Sequence, residues 1–229
     1  MKTEGCAVYT TYCGHSKSRT FEPWEISTDT DHFFVSNNQS VLKGAESYGW
    51  NPIYLPLEVF ENKVFSAYQA KIGKAIPHIF PTLAKYRYLM YIDDKMEFKS
   101  TQLSNLIPLL GNGQFSIGIR EHNFLKKNVL QEFAEALGQK RYKVLRDQMI
   151  AFITKSLDKG LALEPQRIYW TSAILRDTSH KDTTRINEDW YRAILECGIN
   201  CQLSFNFIAQ RHQSIAVLPE GLGLEMGSA

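Results

Sequence analysis

The stretch that decides the fold is Tyr86-Arg87-Tyr88-Leu89-Met90-Tyr91-Ile92-Asp93-Asp94-Lys95-Met96-Glu97-Phe98. Residues 88–92 form an apolar run that is too short for an ordinary helix and rich in aromatic and branched side chains, so they predict a buried strand. The strand ends at two adjacent carboxylates, Asp93 and Asp94. In an open α/β sheet, ligands bind beyond the carboxyl ends of the strands. We therefore expect both carboxylates to lie at a ligand-binding edge.

Carboxylate oxygens are hard ligands suited to Mg²⁺ or Mn²⁺, and such an ion would bridge Asp93 and Asp94 to a substrate diphosphate. The alternative interpretation is a polar turn after a strand, because Asp is common in turns. These residues alone leave both interpretations open.

The composition indicates one domain with an ordinary charge balance. The chain has 229 residues with a net charge of +2, which argues against general nucleic-acid binding. We expect a single domain over residues 1–225 and a tail or expression scar over 226–229. Its four cysteines lack the spacing of a structural zinc site. We see no signal peptide and no membrane-spanning run, so we expect a cytoplasmic protein.

Strand-like and helix-like segments alternate along the chain. Strands are predicted at residues 6–12, 31–36, 52–55, 88–92, 115–119 and 168–175. Helices are predicted at residues 62–79, 101–110, 128–137, 142–157, 187–196 and 202–210. This alternation predicts an α/β fold with a mostly parallel central sheet flanked by helices.

Other polar side chains fall where they would join Asp93. Lys71, Lys74 and His78 fall at i, i+3 and i+7 of the predicted helix, either as a solvated stripe or facing phosphates bound by Asp93. Arg120 and His122 follow one predicted strand, although a lone histidine often only caps a loop. Arg176 and Asp177 follow another strand, before a polar segment at 181–185 that we expect to be a mobile loop.

Several short motifs occur in one order along residues 5 to 210. They are Lys74-Ala75-Ile76-Pro77-His78, Tyr91-Ile92-Asp93-Asp94-Lys95, Arg120-Glu121-His122, Gln131-Glu132-Phe133-Ala134, Gln148, Trp190 and Gln202-Leu203-Ser204-Phe205. In this order they resemble the hexosyltransferase-like family of GT-A glycosyltransferases, which includes plant pectin and mucilage galacturonosyltransferases and bacterial and viral relatives. Lys95 stands where the usual Asp-x-Asp motif has its second aspartate, and Cys201 where the family commonly has an aspartate.

The resemblance implies transfer of a sugar from a nucleotide sugar, with UDP as the expected nucleotide, to a glycan acceptor. It implies a GT-A-like domain, Mn²⁺ or Mg²⁺ on Asp93 and Asp94, and retention of the anomeric configuration. The implied donor contacts are Thr10, Thr11, Tyr12, Lys71, Lys74, His78, Asp93 and Lys95. The implied acceptor contacts are Arg120, Arg176 and Gln202, and the catalytic candidates are Asp94, His122 and Asp177.

Two other classes of protein remain open. A metal-dependent phosphohydrolase would need further carboxylates around Asp93, and the downstream candidates are Asp177, Asp182 and Asp189. A non-catalytic sugar-binding module would use some of the 13 Phe, 11 Tyr and 4 Trp side chains as stacking platforms, although most such side chains build the core.

Overall fold

The computed structural model describes residues 5–15, 30–94, 96–98, 102–122, 128–219 and 224–226. Strands and helices alternate through most of this chain. In order they are β1 (Cys6–Thr11), β2 (Asp31–Ser36), α1 (Gln39–Ser47), β3 (Asn51–Tyr54), α2 (Lys63–Ala75), β4 (Tyr88–Ile92), β5 (Met96–Phe98), α3 (Leu103–Leu106), β6 (Ile117–Glu121), α4 (Val129–Ala136), α5 (Lys140–Lys143), α6 (Arg146–Asp158), β7 (Tyr169–Asp177), α7 (Thr183–Cys197), α8 (Cys201–Ile208), β8 (Ile215–Leu218) and β9 (Leu224–Met226). Short 3₁₀ helices lie at Pro77–Ile79, Leu83–Lys85, Ile107–Gly113 and Ala209–Arg211.

A seven-stranded sheet in the order β3-β2-β1-β4-β7-β6-β8 forms the centre of the fold. β7 pairs antiparallel with both β4 and β6, and the other neighbouring strands pair in parallel. The prediction of a mostly parallel α/β sheet flanked by helices is therefore confirmed. The carboxyl ends of β1, β4 and β6 meet the amino end of β7 at one edge of the sheet, which we call the active edge.

Each face of the sheet packs against its own core. Leu89 and Tyr91 of β4 belong to the larger core, while Met90 and Ile92 belong to a smaller one. Successive side chains of a strand point to opposite faces, so the two cores lie on opposite sides of the sheet. The larger core includes residues of α6, α7 and α8, and it buries Trp190 completely. Burial on both faces explains why β4 is apolar throughout.

The helix that carries Lys71 and Lys74 is shorter than predicted. Asn62 caps α2, because its side chain accepts hydrogen bonds from the backbone of the first turn. Ile76 ends the helix, and Pro77 begins a separate 3₁₀ helix that contains His78. The proline lacks a backbone N–H and cannot continue α2. His78 is therefore outside the helical register, and the predicted stripe through all three side chains is wrong.

Two other local predictions are wrong. The segment 181–185 is not a loop throughout, because α7 begins at Thr183 and the side chain of Thr183 is buried. Met226, which we assigned to a tail, belongs to β9 and pairs with Met96 of β5. Residues 227–229 of that tail lie outside the described residues, as does Lys95.

The structure also contains elements that our predictions lacked, namely α1, β5, β8 and β9. None of the four cysteines forms a disulfide, and all four are buried. Among the helices of the described residues, none combines the length and the apolar character that crossing a membrane requires.

Gly73 brings the last turn of α2 against the end of β1. A Cβ at position 73 would collide with Thr11 Oγ1 and would lie 3.0 Å from Thr11 Cγ2. Thr11 is itself buried, so its branched side chain has little room to move. The absence of a side chain at Gly73 thus sets the position of the next residue, Lys74, relative to the sheet.

We expect Gly73→Ala to destabilise the protein by roughly 1 kcal/mol in urea denaturation. Overpacking against Thr11 costs about 1–3 kcal/mol, whereas alanine gains only about 1 kcal/mol over glycine in a helix. Thr11→Ala removes the colliding atoms, so on that background Gly73→Ala should be neutral or stabilising. An equal effect of Gly73→Ala on both backgrounds would contradict the proposed close contact.

Candidate active site

Asp93 lies at the active edge, directly after β4. Its backbone N–H donates to Ser172 O of β7 at 2.7 Å, and its carbonyl accepts from Met96 N at 2.9 Å. These bonds fix the turn that contains Asp94. The side chain of Asp93 is 34% exposed, so it is open to a ligand. The location predicted from the end of the apolar run therefore agrees with the structure.

Two side chains hold Asp93 from the protein side. Lys74 Nζ donates to Asp93 Oδ1 at 2.9 Å, and Tyr91 Oη donates to the same oxygen at 2.6 Å. Lys74 Nζ also lies 5.0 Å from the centroid of the Tyr91 ring. The side chain of Lys74 is only 2% exposed, so this ammonium group is almost fully withdrawn from water.

The surrounding charges keep Asp93 ionised. Burial favours the neutral acid, but the ammonium groups of Lys74 and Lys71 and the hydroxyl of Tyr91 outweigh it and lower the pKa of Asp93. Burial and the neighbouring carboxylate raise the pKa of Tyr91 well above its ordinary value, so its phenol remains a donor. The site is therefore an ionised carboxylate, Asp93, that accepts hydrogen bonds from the buried ammonium of Lys74 and the phenol of Tyr91.

Arg176 supports this arrangement from inside the core. Its guanidinium donates to Lys74 O at 2.7 Å, Tyr9 Oη at 3.0 Å and Asn187 Oδ1 at 2.9 Å. The Tyr9 and Tyr91 rings pack edge to face at 5.3 Å. Since Arg176 has no exposed surface, the predicted acceptor contact for this residue is not compatible with the structure. Its bonds instead position Lys74 and Tyr91.

The loop after β1 is tied to the loop after β2. Gly14 N donates to Asn37 Oδ1 at 3.2 Å, and Asn38 Nδ2 donates to Gly14 O at 3.0 Å. The buried Asn37 amide also donates to Glu58 O and Gln69 Oε1. These bonds fix the wall of the active edge beside β1.

Thr10, Thr11 and Tyr12 differ in their access to this wall. The side chains of Thr10 and Thr11 are buried, so they offer little surface to the nucleotide sugar that the sequence motifs imply. Tyr12 is partly exposed, and its hydroxyl donates to His15 O at 2.7 Å. Of these three residues, Tyr12 therefore stays the candidate for a contact with the nucleotide sugar.

The amino end of α8 holds a second, partly buried carboxyl group, that of Glu132 on α4. Gln202 Nε2 donates to Glu132 Oε2, and Asn200 Nδ2 donates to Glu132 Oε1 at 3.1 Å. Burial raises the pKa of Glu132 to about 7, although the two amide donors oppose the shift. Neighbouring Cys201 has its Sγ 3.6 Å from Thr171 Oγ1. Burial raises the pKa of Cys201, but Lys71 and Lys74 outweigh it, so the net shift is downward.

An aromatic surface lies at the same edge, where β7 begins. The Arg120 guanidinium lies 4.9 Å from the centroid of the Trp170 ring, and the His122 ring lies 5.9 Å from it. Burial lowers the pKa of His122, so its ring is neutral at physiological pH. Trp170 packs against the smaller core, which places this surface on the opposite face of the sheet from Tyr91. The predicted grouping of Arg120 with His122 therefore agrees with the structure.

Asp177 does not join this edge. β7 runs antiparallel to β4, and Asp177 pairs with Tyr88 at the start of β4, so it lies at the opposite edge from Asp93. Its carboxylate is buried and accepts from Arg87 Nη2 at 3.4 Å and Ser179 Oγ at 2.6 Å. Contact of Asp177 with a substrate bound at Asp93 is therefore incompatible with the topology.

His78 contacts α7, and no contact joins it to Asp93 among the described residues. Its Nε2 lies 3.9 Å from Glu188 on α7, and burial lowers its pKa. Lys95, the remaining predicted donor contact, lies outside the described residues. The structure thus brings together Lys71, Lys74 and Asp93 from the predicted donor set.

Sequence reasoning missed Tyr91, Glu132 and Trp170 as site residues. A period of two along β4 places Tyr91 on the same face as Asp93, so that signal was present in the sequence. Glu132 and Trp170 reach the site only through the packing of α4 against α8 and the pairing of β7 with β6. No spacing in the sequence indicates those contacts.

The residues at Asp93 fit a divalent ion that binds together with a phosphate ligand. No group of three or more His, Cys, Asp or Glu side chains suited to a metal occurs in the part of the chain that the structure describes. Oδ1 of Asp93 is held by Lys74 and Tyr91, so an ion would be held by Oδ2 of Asp93 together with a carboxylate oxygen of the adjacent Asp94. Mg²⁺ sites in phosphate-transfer enzymes commonly use one or two carboxylates and complete their shell with phosphate and water.

No family model matches the sequence, and no curated protein matches it. The structure is similar to that of apo mouse xyloside xylosyltransferase 1, with a TM-score of 0.52 and 11% identity over 93% of this chain and 84% of that chain. It also resembles apo WbbM, a bifunctional glycosyltransferase, with a TM-score of 0.48 and 10% identity over 94% of this chain and 39% of that chain. The mannosyltransferase Ktr4p of S. cerevisiae has a TM-score of 0.39 and 11% identity, over 82% of this chain and 60% of that chain.

At this level of identity, the similarity to the xylosyltransferase establishes the fold alone. The protein therefore has a GT-A-like glycosyltransferase fold, as the order of its motifs predicted. Membership of the hexosyltransferase-like family within that fold stays a prediction.

The pKa of Glu132 predicts that stability falls as pH rises. Between pH 4.5, the ordinary pKa of a glutamic acid, and about 7, the folded protein holds a proton on Glu132 that the unfolded chain releases. Glu132 therefore stabilises the fold at low pH and ceases to do so as the pH rises through 7. Glu132→Gln should reduce this pH dependence by at most about 3 kcal/mol between pH 5 and 8.

The measurement is the free energy of unfolding by urea at several pH values. Glu46→Gln, which changes an exposed carboxyl on α1, is the matched control and should leave the dependence intact. If the two variants had the same pH profile, Glu132 would not hold the proton.

Proposed function

We propose that the protein is a glycosyltransferase that moves a sugar from a nucleotide diphosphate sugar to a hydroxyl of a glycan acceptor. The observation that carries the proposal is the position of Asp93, which is held by Lys74 and Tyr91 at the ligand-binding edge of a GT-A-like fold. We take UDP as the nucleotide, because the resemblance of the sequence motifs implies it.

The donor half of the site is suited to a departing diphosphate. Breaking the glycosidic bond to phosphate leaves additional negative charge on the phosphate oxygens. Lys74 is almost completely buried, so its charge acts in a medium of low polarity where it is little screened. Lys71, on the same helix, adds a second positive charge near Asp93. Tyr12 contacts the base or ribose in this assignment.

Asp93 and Asp94 would hold Mn²⁺ or Mg²⁺. When bound, the ion acts as a Lewis acid that neutralises charge on the diphosphate. The chain itself orients Asp93 for this role through Tyr91 and Lys74, which occupy Oδ1 and leave Oδ2 for a ligand.

We assign the acceptor half to Arg120, His122 and Trp170, and to Gln202 of α8 on the face of the sheet that carries Tyr91. An indole offers a flat apolar surface on which a sugar ring stacks, while Arg120 and His122 supply polar partners for hydroxyl groups. Gln202 is held by Glu132, so its amide has a fixed orientation. These contacts suit a glycan hydroxyl better than a charged acceptor.

We propose that transfer retains the anomeric configuration. Retention can proceed with an oxygen of the departing phosphate taking the proton of the acceptor hydroxyl, so it requires no dedicated base. The support is the resemblance to plant enzymes. The anomeric proton coupling of the first product, followed by NMR, would distinguish retention from inversion.

A phosphohydrolase is a weaker alternative for this site. It would need Asp177, Asp182 or Asp189 near Asp93, but Asp177 ends β7 at the opposite edge of the sheet. Asp182 follows it there, and Asp189 pairs with His212, which precedes β8 at that same edge. A non-catalytic sugar-binding module would bind sugars without releasing nucleotide, which the following assay detects.

We expect Asp93→Asn to lower the rate of UDP release from UDP-sugars by two to three orders of magnitude. The substitution removes the negative charge while keeping a side chain of similar shape. Asp158→Asn, an exposed change at the end of α6, is the matched control and should keep full activity. The assay uses a panel of UDP-sugars with a mixture of oligosaccharide acceptors.

Stability must be measured on the same variants. Loss of the Asp93 charge leaves Lys74 buried without a counter-charge, so Asp93→Asn should lower stability by about 1–3 kcal/mol, less than for a fully buried pair. The double variant Asp93→Asn/Lys74→Met should regain stability but no activity. Full activity in folded Asp93→Asn would refute the assignment of Asp93.

We expect the divalent ion to bind tightly only together with the nucleotide. Calorimetric titration with Mn²⁺ should give weak binding to the protein alone, because Asp93 and Asp94 supply too few ligands. Addition of UDP should strengthen it, since the diphosphate supplies further oxygens. Excess chelator should abolish UDP release.

Lys71→Gln provides the comparison for this prediction. If the lysines alone neutralised the diphosphate, activity would survive the chelator and fall sharply in Lys71→Gln. If the ion supplies most of the neutralisation, the chelator will have the larger effect. Full activity in chelator, with no metal found by elemental analysis, would refute a metal at Asp93 and Asp94.

A further inference from the structure

A polar cavity of about 590 Å³ lies at the edge of the sheet opposite Asp93. Its walls come from the segment before β6, the turn between β7 and α7, and the segment before β8. The charged and imidazole groups in these walls are His180, Lys181, Asp182, Arg185, Arg211 and His212. The proposed glycosyl transfer uses none of them.

Cations outnumber carboxylates in these walls. Arg185 Nη2 donates to Asp182 Oδ1 at 2.9 Å, and Ser214 Oγ donates to the other oxygen of Asp182 at 3.2 Å. This carboxylate therefore already has its partners. Within the described residues, no ion pair involves Lys181 or Arg211. These two exposed cations therefore lie beside the cavity without a counter-charge from any described residue.

His212 provides an independent sign of a ligand. Its side chain is 5% exposed, and Nδ1 has no hydrogen-bond partner among the described residues. Nε2 lies 3.4 Å from Asp189 Oδ2, so Asp189 is the partner of that nitrogen and Nδ1 is the atom without one. Buried polar atoms in folded proteins are nearly always paired, so the Nδ1 atom of a histidine that lines a cavity, left without a partner, points to a missing ligand.

We propose that this cavity binds a phosphate monoester of a small molecule. Lys181 and Arg211 would neutralise the two negative charges of the phosphate, and an arginine fork suits its oxygens. His212 would meet a phosphate oxygen or a neighbouring hydroxyl of the ester. The cavity is too large for a phosphate alone, so the rest of the volume takes the body of the ester, such as a sugar ring.

This site is distinct from the active edge. β6 and β8 run parallel to each other and antiparallel to β7, so the segments that line the cavity all lie at the ends away from Asp93. The proposal therefore goes beyond glycosyl transfer and stands even if the active edge has another function.

The test is calorimetric titration of the full chain with inorganic phosphate and with glucose 6-phosphate. We expect saturable binding, with a Kd on the order of 1 mM for phosphate and a lower value for the ester. Lys181→Gln/Arg211→Gln should weaken both by about tenfold or more. Lys155→Gln/Lys159→Gln, which removes the same charge from exposed positions around the end of α6, should bind as the parent does.

The His212 imidazole resonances give a second measurement by NMR, and they should shift on titration with glucose 6-phosphate. Equal affinities for phosphate and the ester would overturn the assignment of an ester. Equal weakening by both double variants would show an adventitious ion only. Binding that is lost in Lys71→Gln but retained in Lys181→Gln/Arg211→Gln would place the phosphate at the active edge and overturn the proposal.

Discussion

The ion pair between Lys74 and Asp93 is the interaction on which the active edge depends. A lysine whose side chain is only 2% exposed is tolerated only with a partner, because burial of an unpaired charge is costly. The pair therefore constrains the backbone of α2, which carries Lys74, and the backbone after β4, which carries Asp93. Gly73 lets α2 approach β1 closely enough for Lys74 to reach Asp93, and Arg176 holds the carbonyl of Lys74 from below. The packing of the core therefore determines the geometry of the site.

Much of the fold could be predicted from the sequence because its signals are local. The apolar run of β4 that stops at Asp93 indicates both a buried strand and the edge that binds ligands. Helical periodicity placed α2, and strand composition placed β1, β2 and β7 within a few residues. The short strands β5 and β9 were missed, because three-residue strands are too short for a periodic pattern and pair across most of the chain.

The site was predicted less completely, for a physical reason. Residues next to a strand end, such as Asp93, Arg120 and His122, could be located because a strand delivers its following residues to an edge. Strand direction could not be predicted in the same way. β7 is antiparallel to its neighbours, so Asp177 lies at the far edge and Trp170, at its beginning, lies at the active edge. One reversal of direction accounts for both of these errors.

The same ion pair constrains how a ligand can bind. Lys74 and Tyr91 both donate to Oδ1 of Asp93, so a diphosphate that drew Lys74 away would leave the carboxylate with a single protein donor. Repulsion between that carboxylate and the phosphate would then oppose binding, unless a cation lay between them. The divalent ion that we propose at Asp93 and Asp94 would remove the conflict, since it would attract both groups while Lys74 kept its position. The buried lysine is therefore compatible with the proposed metal, even though it is itself a cation.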